Sequence, residues 1–188
     1  MALQKNLDLA YMKCAFAVAE LSRAERKKVG AILVSPAGGI IAEGFNGTPR
    51  GFDNCCEILE IVCKHEWVQD IATQNNICYL CQEERTQLQF SSLPTVKTRI
   101  VTKLECLHAE SNAIAKIARS NNSSDKATLY CTLSPCFECS KLIIQAGITR
   151  VVYAEDYPYA SHSGPVRLVG LELLKKANIL VDKLDCFI

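Results

Sequence analysis

A chain of 188 residues is long enough to bury a substantial hydrophobic core in one domain. Apolar residues make up 49% of the chain and charged residues 22%, which is typical of a soluble globular protein. The net charge of +1 argues against a strongly basic nucleic-acid binder and favours a small substrate, although a local basic patch would not show in that total.

Two further features of the composition bear on location. The sequence has no run of about 18 apolar residues, so we expect no membrane span. Residues 1–6 contain no basic region that leads into an apolar run, and we therefore expect a cytoplasmic protein. The eleven cysteines then favour metal binding or burial over disulfides.

The first elements can be predicted from spacing. Apolar residues three and four apart predict an amphipathic helix over residues 6–22. Residues 29–35 and 40–45 are expected to be strands, joined as a hairpin by the turn at 36–39. Residues 44–51 follow as a turn-rich loop.

Residues 53–106 are the least regular part of the chain. They contain six cysteines, and the polar stretch 82–98 is predicted to be loop. We interpret this segment as a cysteine-rich insertion within a single domain that spans residues 1–188.

Regular alternation returns after the insertion. The pattern predicts a helix from His108 to about residue 121, a strand at 128–133, a helix from Pro135 to Gly147, a strand at 148–154, a helix at 165–178 and a strand at 179–184. Ser134 is the expected N-cap of the second of these helices. Such alternation predicts a mixed α/β sheet with helices on its faces.

The most informative motif is His108-Ala109-Glu110, followed by Pro135-Cys136-Phe137-Glu138-Cys139. His108, Cys136 and Cys139 are residue types that bind zinc, and three protein ligands leave a fourth position for water. Because Cys136 and Cys139 would share the first helical turn, the helix dipole favours their thiolates.

Zinc lowers the pKa of its water to about 7, and Glu110 is available to move protons beside it. H-x-E followed by P-C-x-x-C is the known signature of zinc nucleobase deaminases, and here we expect hydroxide to attack C4 of cytosine. The alternatives are plain burial of the cysteines or a closed zinc knot, which would need a fourth ligand and leave Glu110 without a role. Cys131 lies in a predicted strand and is interpreted as a core residue.

A second C-x-x-C pair suggests a structural zinc in the insertion. Cys78 and Cys81 are the firmest candidates, and Cys55, Cys56 and Cys63 compete for the remaining positions. His65 lies in the same segment and is alternatively a helix residue, and Cys106 follows it. The other interpretation is that these cysteines are reduced and partly buried.

With these motifs the chain resembles the cytidine deaminase superfamily. Lys28-Val29-Gly30-Ala31 and the loop Gly44-Phe45-Asn46-Gly47-Thr48-Pro49 resemble the deoxycytidylate (dCMP) deaminases, of the bacteriophage and bacterial type. The resemblance implies a three-layer α/β/α fold with a five-stranded mixed sheet. It also implies zinc-dependent conversion of dCMP to dUMP and ammonia, which supplies thymidylate synthesis, in the host cytoplasm if the source is viral.

The resemblance also assigns substrate contacts. It implies that Asn46 contacts the deoxyribose, that Ala109 and Ser134 present backbone groups to the base, that Tyr153 packs on the base or sugar, and that Lys28 binds the phosphate. Structural interpretations remain open, because Asn46-Gly47 is a common turn pair, Tyr153 ends an apolar strand and Lys28 could be a solvated charge.

Regulation is implied as well. Members of the family are commonly homohexamers, activated by dCTP and inhibited by dTTP, with Mg²⁺ accompanying the effector. Asn46, Gly47 and Arg50 are then candidate effector contacts at a subunit boundary. Phe45 departs from the tyrosine usual in the family, which removes a hydroxyl. His162 lies in a Ser/Gly-rich loop and is expected to be exposed, without a role.

Three alternatives remain at this point. A tRNA adenosine deaminase shares both zinc motifs but would require a basic surface and a pocket for a flipped base. A deaminase acting also on dCTP, and a non-catalytic zinc-stabilised binding module, are the others.

Overall fold

The computed structural model describes residues 2–86, 92–157 and 168–185 of the chain. They form two compact units. The first consists of Met1–Cys56 with Leu104–Ile188, and the second of Glu57–Lys103, which lies inside the segment predicted to be an insertion. The predicted His162 loop and residues 165–167 of the predicted last helix fall outside the described ranges.

The elements of both units are numbered in chain order. The described helices are α1 (Ala2–Ala19), α2 (Ala109–Ile117), α3 (Phe137–Gln145) and α4 (Val169–Lys176). The described strands are β1 (Gly30–Val34), β2 (Ile40–Phe45), β3 (Glu57–Lys64), β4 (Trp67–Gln69), β5 (Asn76–Cys78), β6 (Glu84–Arg85), β7 (Val96–Thr102), β8 (Thr128–Leu133), β9 (Arg150–Glu155) and β10 (Leu180–Lys183).

The first unit is built on a five-stranded mixed sheet in the order β10-β9-β8-β1-β2. Strand β1 is antiparallel to both β2 and β8, whereas β8, β9 and β10 are parallel. Parallel neighbours require crossover connections, and α3 and α4 stand between the parallel strands in the chain. The predicted α/β class and mixed sheet are confirmed.

Alternate residues of the central strands enter two separate cores. Leu129 and Cys131 of β8 pack with the apolar residues of α2, α3 and α4. Tyr130, between them, packs with Met12 and Ala15 of α1 on the opposite face. This period of two is what a strand covered on both faces requires, and it confirms the three-layer arrangement.

Some predicted boundaries were wrong. The N-cap of α3 is Cys136 and not Ser134, since residue 136 is the last with extended backbone before the helix. Helix α1 begins and ends earlier than residues 6–22. The segment 82–98 is not entirely loop, because β6 and the start of β7 lie in it. These strands are short or exposed and carry few apolar residues, so the sequence signal is weak.

The second unit contains two small sheets and little core. β3 and β7 form an antiparallel pair, and β4, β5 and β6 form a three-stranded antiparallel sheet. Side chains such as Leu59, Ile61 and Ile71 are largely exposed. Within the described ranges, no helix has both the length and the apolarity to cross a bilayer.

Candidate active site

Helix α2 brings His108 and Glu110 to the sheet edge next to β2. Gly44 makes this possible, because a Cβ atom at that position would lie 2.1 Å from the carbonyl oxygen of Ala109. Leu107 and Gly47 exchange backbone hydrogen bonds of 2.8 and 3.1 Å directly before the helix. The 44–51 loop is therefore tied to the residue that precedes His108.

The start of α3 brings in the two cysteines. Cys136 is its N-cap, and its Sγ accepts a 3.4 Å hydrogen bond from the backbone N–H of Cys139. The Ser140 hydroxyl donates to the Cys136 carbonyl at 2.9 Å. Gly170 of α4 lies against this turn, since a Cβ there would be 2.1 Å from the Pro135 carbonyl oxygen. Two hydrogen bonds within the turn and the close approach of Gly170 therefore hold it in place.

The three predicted metal ligands lie together. The Sγ atoms of Cys136 and Cys139 are 3.4 and 3.5 Å from Nδ1 of His108. Ligands bound tetrahedrally at the usual Zn–S and Zn–N lengths would be about 3.5 Å apart. The residues present therefore fit a zinc ion, with Nδ1 as the histidine donor.

Electrostatics favour a thiolate in this cluster. The Cys139 thiol and the His108 ring hydrogen-bond to Cys136 and lower the pKa of Cys136 to about 4. The same contact with Cys136 raises the pKa of His108. One negative sulfur is thereby stabilised, and its contact with Cys139 raises the pKa of the Cys139 thiol, whereas a bound zinc ion would require both thiols to be deprotonated.

Glu110 is buried in the first turn of α2, with 3% of its surface exposed. Burial raises the pKa of its carboxyl to about 7, against the opposing effects of the His108 charge and a hydrogen bond with Cys139. A buried carboxyl that faces the ligand cluster without being one of the ligands can transfer protons there.

Asn46 has a structural role. Its Oδ1 accepts from the Val29 N–H at 2.8 Å, and its Nδ2 donates to the Lys27 carbonyl at 2.9 Å. Both ends of the amide therefore join the 44–51 loop to residues 27–29. Lys28 forms an exposed ion pair with Glu20 at 3.1 Å.

The other predicted substrate contacts are placed as follows. Ala109 is fully buried against Gly44. Ser134 is buried, and its Oγ accepts from the Tyr157 N–H at 2.8 Å. Tyr153 lies in the apolar core, where burial raises the pKa of its phenol to about 12. Contact between these residues and a nucleotide stays a prediction.

The predicted effector residues share the 44–51 loop but differ in exposure. Gly47 pairs with Leu107, and Arg50 is exposed. The Phe45 ring lies under the Lys116 ammonium at 5.8 Å.

Asn112 was not predicted from the sequence. Its Nδ2 donates to the Phe45 carbonyl at 3.0 Å. Its position four residues after His108, on the same helical face, was the available signal.

The second cysteine cluster differs from the predicted ligand set. Cys63, Cys78 and Cys81 lie together with His65, all four ligand atoms being within 4.8 Å of one another. Cys55 is not in the group and belongs to the other compact unit. Cys131 is buried in the core, as predicted, where burial raises the pKa of its thiol.

The sequence is similar to those of known proteins. Residues 5–155 match the family model of the cytidine and deoxycytidylate deaminase zinc-binding region. The chain is 35% identical to deoxycytidylate deaminase of Enterobacteria phage T4 over 78% of its length and 76% of that protein. It is 30% identical to the Saccharomyces cerevisiae enzyme over 95% of its length, but spans only 45% of that protein.

A solved structure is also similar to this chain. The crystal structure of dCMP deaminase from the cyanophage S-TIM5, in complex with dCMP and dUMP, has a TM-score of 0.63 and 33% identity, with 93% of each chain covered. The extent of the family match, together with the cluster of His108, Cys136 and Cys139 beside Glu110, shows that the chain belongs to the cytidine and deoxycytidylate deaminase family.

Proposed function

We propose that this protein is a zinc-dependent hydrolase that converts dCMP to dUMP and ammonia, supplying dUMP for thymidylate synthesis. The observation that carries the proposal is the buried Glu110 carboxyl beside three ligands with zinc-like spacing. The phage relative named deoxycytidylate deaminase and the cyanophage structure with dCMP and dUMP support the choice of substrate.

His108, Cys136 and Cys139 would hold the zinc, which when bound acts as a Lewis acid that activates water for attack at C4. Glu110 takes one proton of the attacking water and delivers it to ring N3, then takes the second proton of that water from the oxygen added at C4 and delivers it to the leaving amine. Burial of Glu110 keeps bulk water away from these transfers. The bond from C4 to the amino nitrogen breaks, and ammonia leaves.

The substrate would lie where α2 and the start of α3 meet. We propose that backbone groups of Ala109 and Ser134 bind the base, that Tyr153 packs against it, and that Lys28 binds the phosphate. Asn46 would reach the deoxyribose only in addition to its bonds with Lys27 and Val29. Asn46 would then contribute to substrate binding partly by holding the 44–51 loop in place.

Regulation is a further part of the proposal. We propose a homohexamer that dCTP with Mg²⁺ activates and dTTP inhibits, with Asn46, Gly47 and Arg50 near the effector. The hydrogen bonds between Gly47 and Leu107 support coupling of this loop to the active site, because they join the loop to the residue preceding His108. A shift of the loop would be transmitted directly to a zinc ligand.

Ammonia release from dCMP tests the proposed reaction, with dCTP and unmodified tRNA as alternative substrates. Purified protein with zinc counted per chain should release ammonia from dCMP and not from tRNA. A zinc-loaded protein inert toward dCMP would overturn the proposal. Saturation curves for dCMP, measured with and without dCTP and dTTP, would show sigmoidal dependence if the regulation is present.

A further inference from the structure

We propose that Cys63, His65, Cys78 and Cys81 bind a structural zinc ion that holds the second compact unit together. This site goes beyond the proposed deaminase activity and does not depend on it. All four residues lie within Glu57–Lys103, so the site is contained in one unit.

The distances between the ligand atoms are those of a zinc site. The Sγ atoms of Cys63 and Cys78 are 3.8 Å apart, and Cys81 Sγ is 3.5 Å from Nδ1 of His65. Tetrahedral zinc with bonds of usual length places two sulfurs about 3.8 Å apart and sulfur and nitrogen about 3.5 Å apart. A sulfur separation of 3.8 Å is far too long for a disulfide, which requires about 2.05 Å.

Local structure accounts for the first ligand pair. Cys63 lies near the end of β3, and the His65 N–H extends that strand by donating to the Thr95 carbonyl at 2.9 Å. Residues two apart in an extended chain point to the same side. Cys63 and His65 therefore face one point, and the His65 ring is stacked on Trp67 at 4.7 Å.

A tight turn presents the second ligand pair. The Gln82 N–H donates to the Cys78 carbonyl at 2.8 Å, and Gln82 has a positive φ of 58°. Pairing of Trp67 with Cys78 in the β4–β5 ladder brings this turn beside the end of β3. Two thiols three residues apart on such a turn form half of a structural zinc site.

The histidine is oriented for a metal. Its side chain is only 1% exposed, and Nδ1 faces Cys81. The other ring nitrogen, Nε2, faces the Glu83 carboxylate at 4.0 Å. A carboxylate on the far side of a ligand histidine is a common arrangement at zinc sites, where it favours one ring orientation.

The second unit also needs such a ligand to be stable. Its buried apolar residues within the described ranges are Cys63, Cys78 and Leu93, and neither hydrophobic cluster includes any of its residues. A unit of about 50 residues with so little core usually depends on a metal or disulfides. Three thiolates and one imidazole close the coordination sphere, so the site is structural rather than catalytic.

Metal analysis of a variant that lacks the other zinc site tests the proposal. Cys136→Ser combined with Cys139→Ser should leave one zinc per chain, and X-ray absorption at the zinc edge should show three sulfur neighbours and one nitrogen. A folded variant without zinc would overturn the proposal. This outcome is independent of whether the wild-type protein deaminates dCMP.

Single substitutions test the ligand set. Wild-type protein should contain two zinc ions per chain, and Cys81→Ser or His65→Asn should contain one. Cys55→Ser is the matched control and should keep two. His65→Cys preserves a four-ligand set and should also keep two, which separates metal loss from a general folding defect. Loss of one zinc ion in Cys55→Ser but not in His65→Asn would contradict the proposed ligand set.

Limited proteolysis supplies the structural readout. Removal of zinc with a chelator should speed cleavage within residues 57–103 at least tenfold in the wild-type protein, and Cys81→Ser should be cleaved as fast without chelator. Equal cleavage rates of wild-type protein with and without zinc would contradict the proposed structural role.

Discussion

Gly44 of β2 lies directly beneath the carbonyl of Ala109 on α2, so close that a Cβ atom would be 2.1 Å from that oxygen and 2.5 Å from the Ala113 nitrogen. These atoms are backbone and cannot move aside singly. The contact therefore sets the height of α2 above the sheet, and with it the positions of His108 and Glu110.

Gly44→Ala should lower zinc content and deaminase activity together, because α2 must shift to accommodate the methyl group. We expect a loss of stability of about 2 kcal/mol or more, as for overpacked cores. Gly39→Ala is the control, since its Cβ would be 3.7 Å from the nearest atom, Ser35 Oγ. Thermal unfolding and metal analysis measure both effects, and an unchanged Gly44→Ala variant would contradict this account.

Glu110→Gln should lower kcat for dCMP at least ~100-fold while zinc content remains at the wild-type level, because the amide cannot transfer protons. Glu138→Gln is the matched control. Glu138 lies next to Cys139 but is exposed and pairs with Lys141, so its replacement should leave kcat unchanged. Wild-type turnover in Glu110→Gln would rule out proton transfer by Glu110.

Asn46→Ala should reduce stability as well as raise KM, because the amide makes two hydrogen bonds to the 27–29 segment. We expect a loss of about 1–2 kcal/mol, because the bond to the Val29 N–H is partly buried whereas the bond to the Lys27 carbonyl is exposed. Asn46→Asp keeps the acceptor for the Val29 N–H but loses the donor to Lys27. Its stability should therefore lie between those of the wild-type protein and Asn46→Ala. A raised KM with unchanged melting temperature would indicate a role in binding alone.

Asp8 should make stability depend on acidity. Burial tends to raise the pKa of this carboxyl, but hydrogen bonds from Arg150, Tyr130 and Gln4 outweigh burial and lower it from 3.8 to about 2. A pKa lowered by folding stabilises the folded state above the unfolded value. The stabilisation is then lost as the pH falls from about 4 through about 2.

Asp8→Asn should therefore cost about 2 kcal/mol at pH 7, and the difference from wild type should shrink as the pH approaches 2. Denaturant unfolding at a series of pH values measures this difference. Glu20→Gln, which removes an exposed pair with Lys28, should change stability by less than about 1 kcal/mol at any pH. A pH-independent cost for Asp8→Asn would contradict the linkage.

Local sequence was sufficient to predict much of the sheet and the three residues that lie together in the candidate active site. Strands β2 and β8 have the predicted bounds, because alternating or continuous apolar residues specify an extended chain locally. His108, Cys136 and Cys139 were predicted from residue type and spacing alone. Zinc chemistry restricts both so tightly that the motif specifies the site before the fold is known.

Only the tertiary structure decided which distant residues meet. Cys55 has the side chain of a zinc ligand, but the fold brings His65 to Cys78 and Cys81 instead. His65 directly follows β3, and the pairing of β4 with β5 places Cys78 beside it. The Asn46 amide likewise finds Lys27 and Val29 across a hairpin. The residue type specifies what a side chain can bind, whereas strand register and helix packing determine which partner lies close enough to be bound.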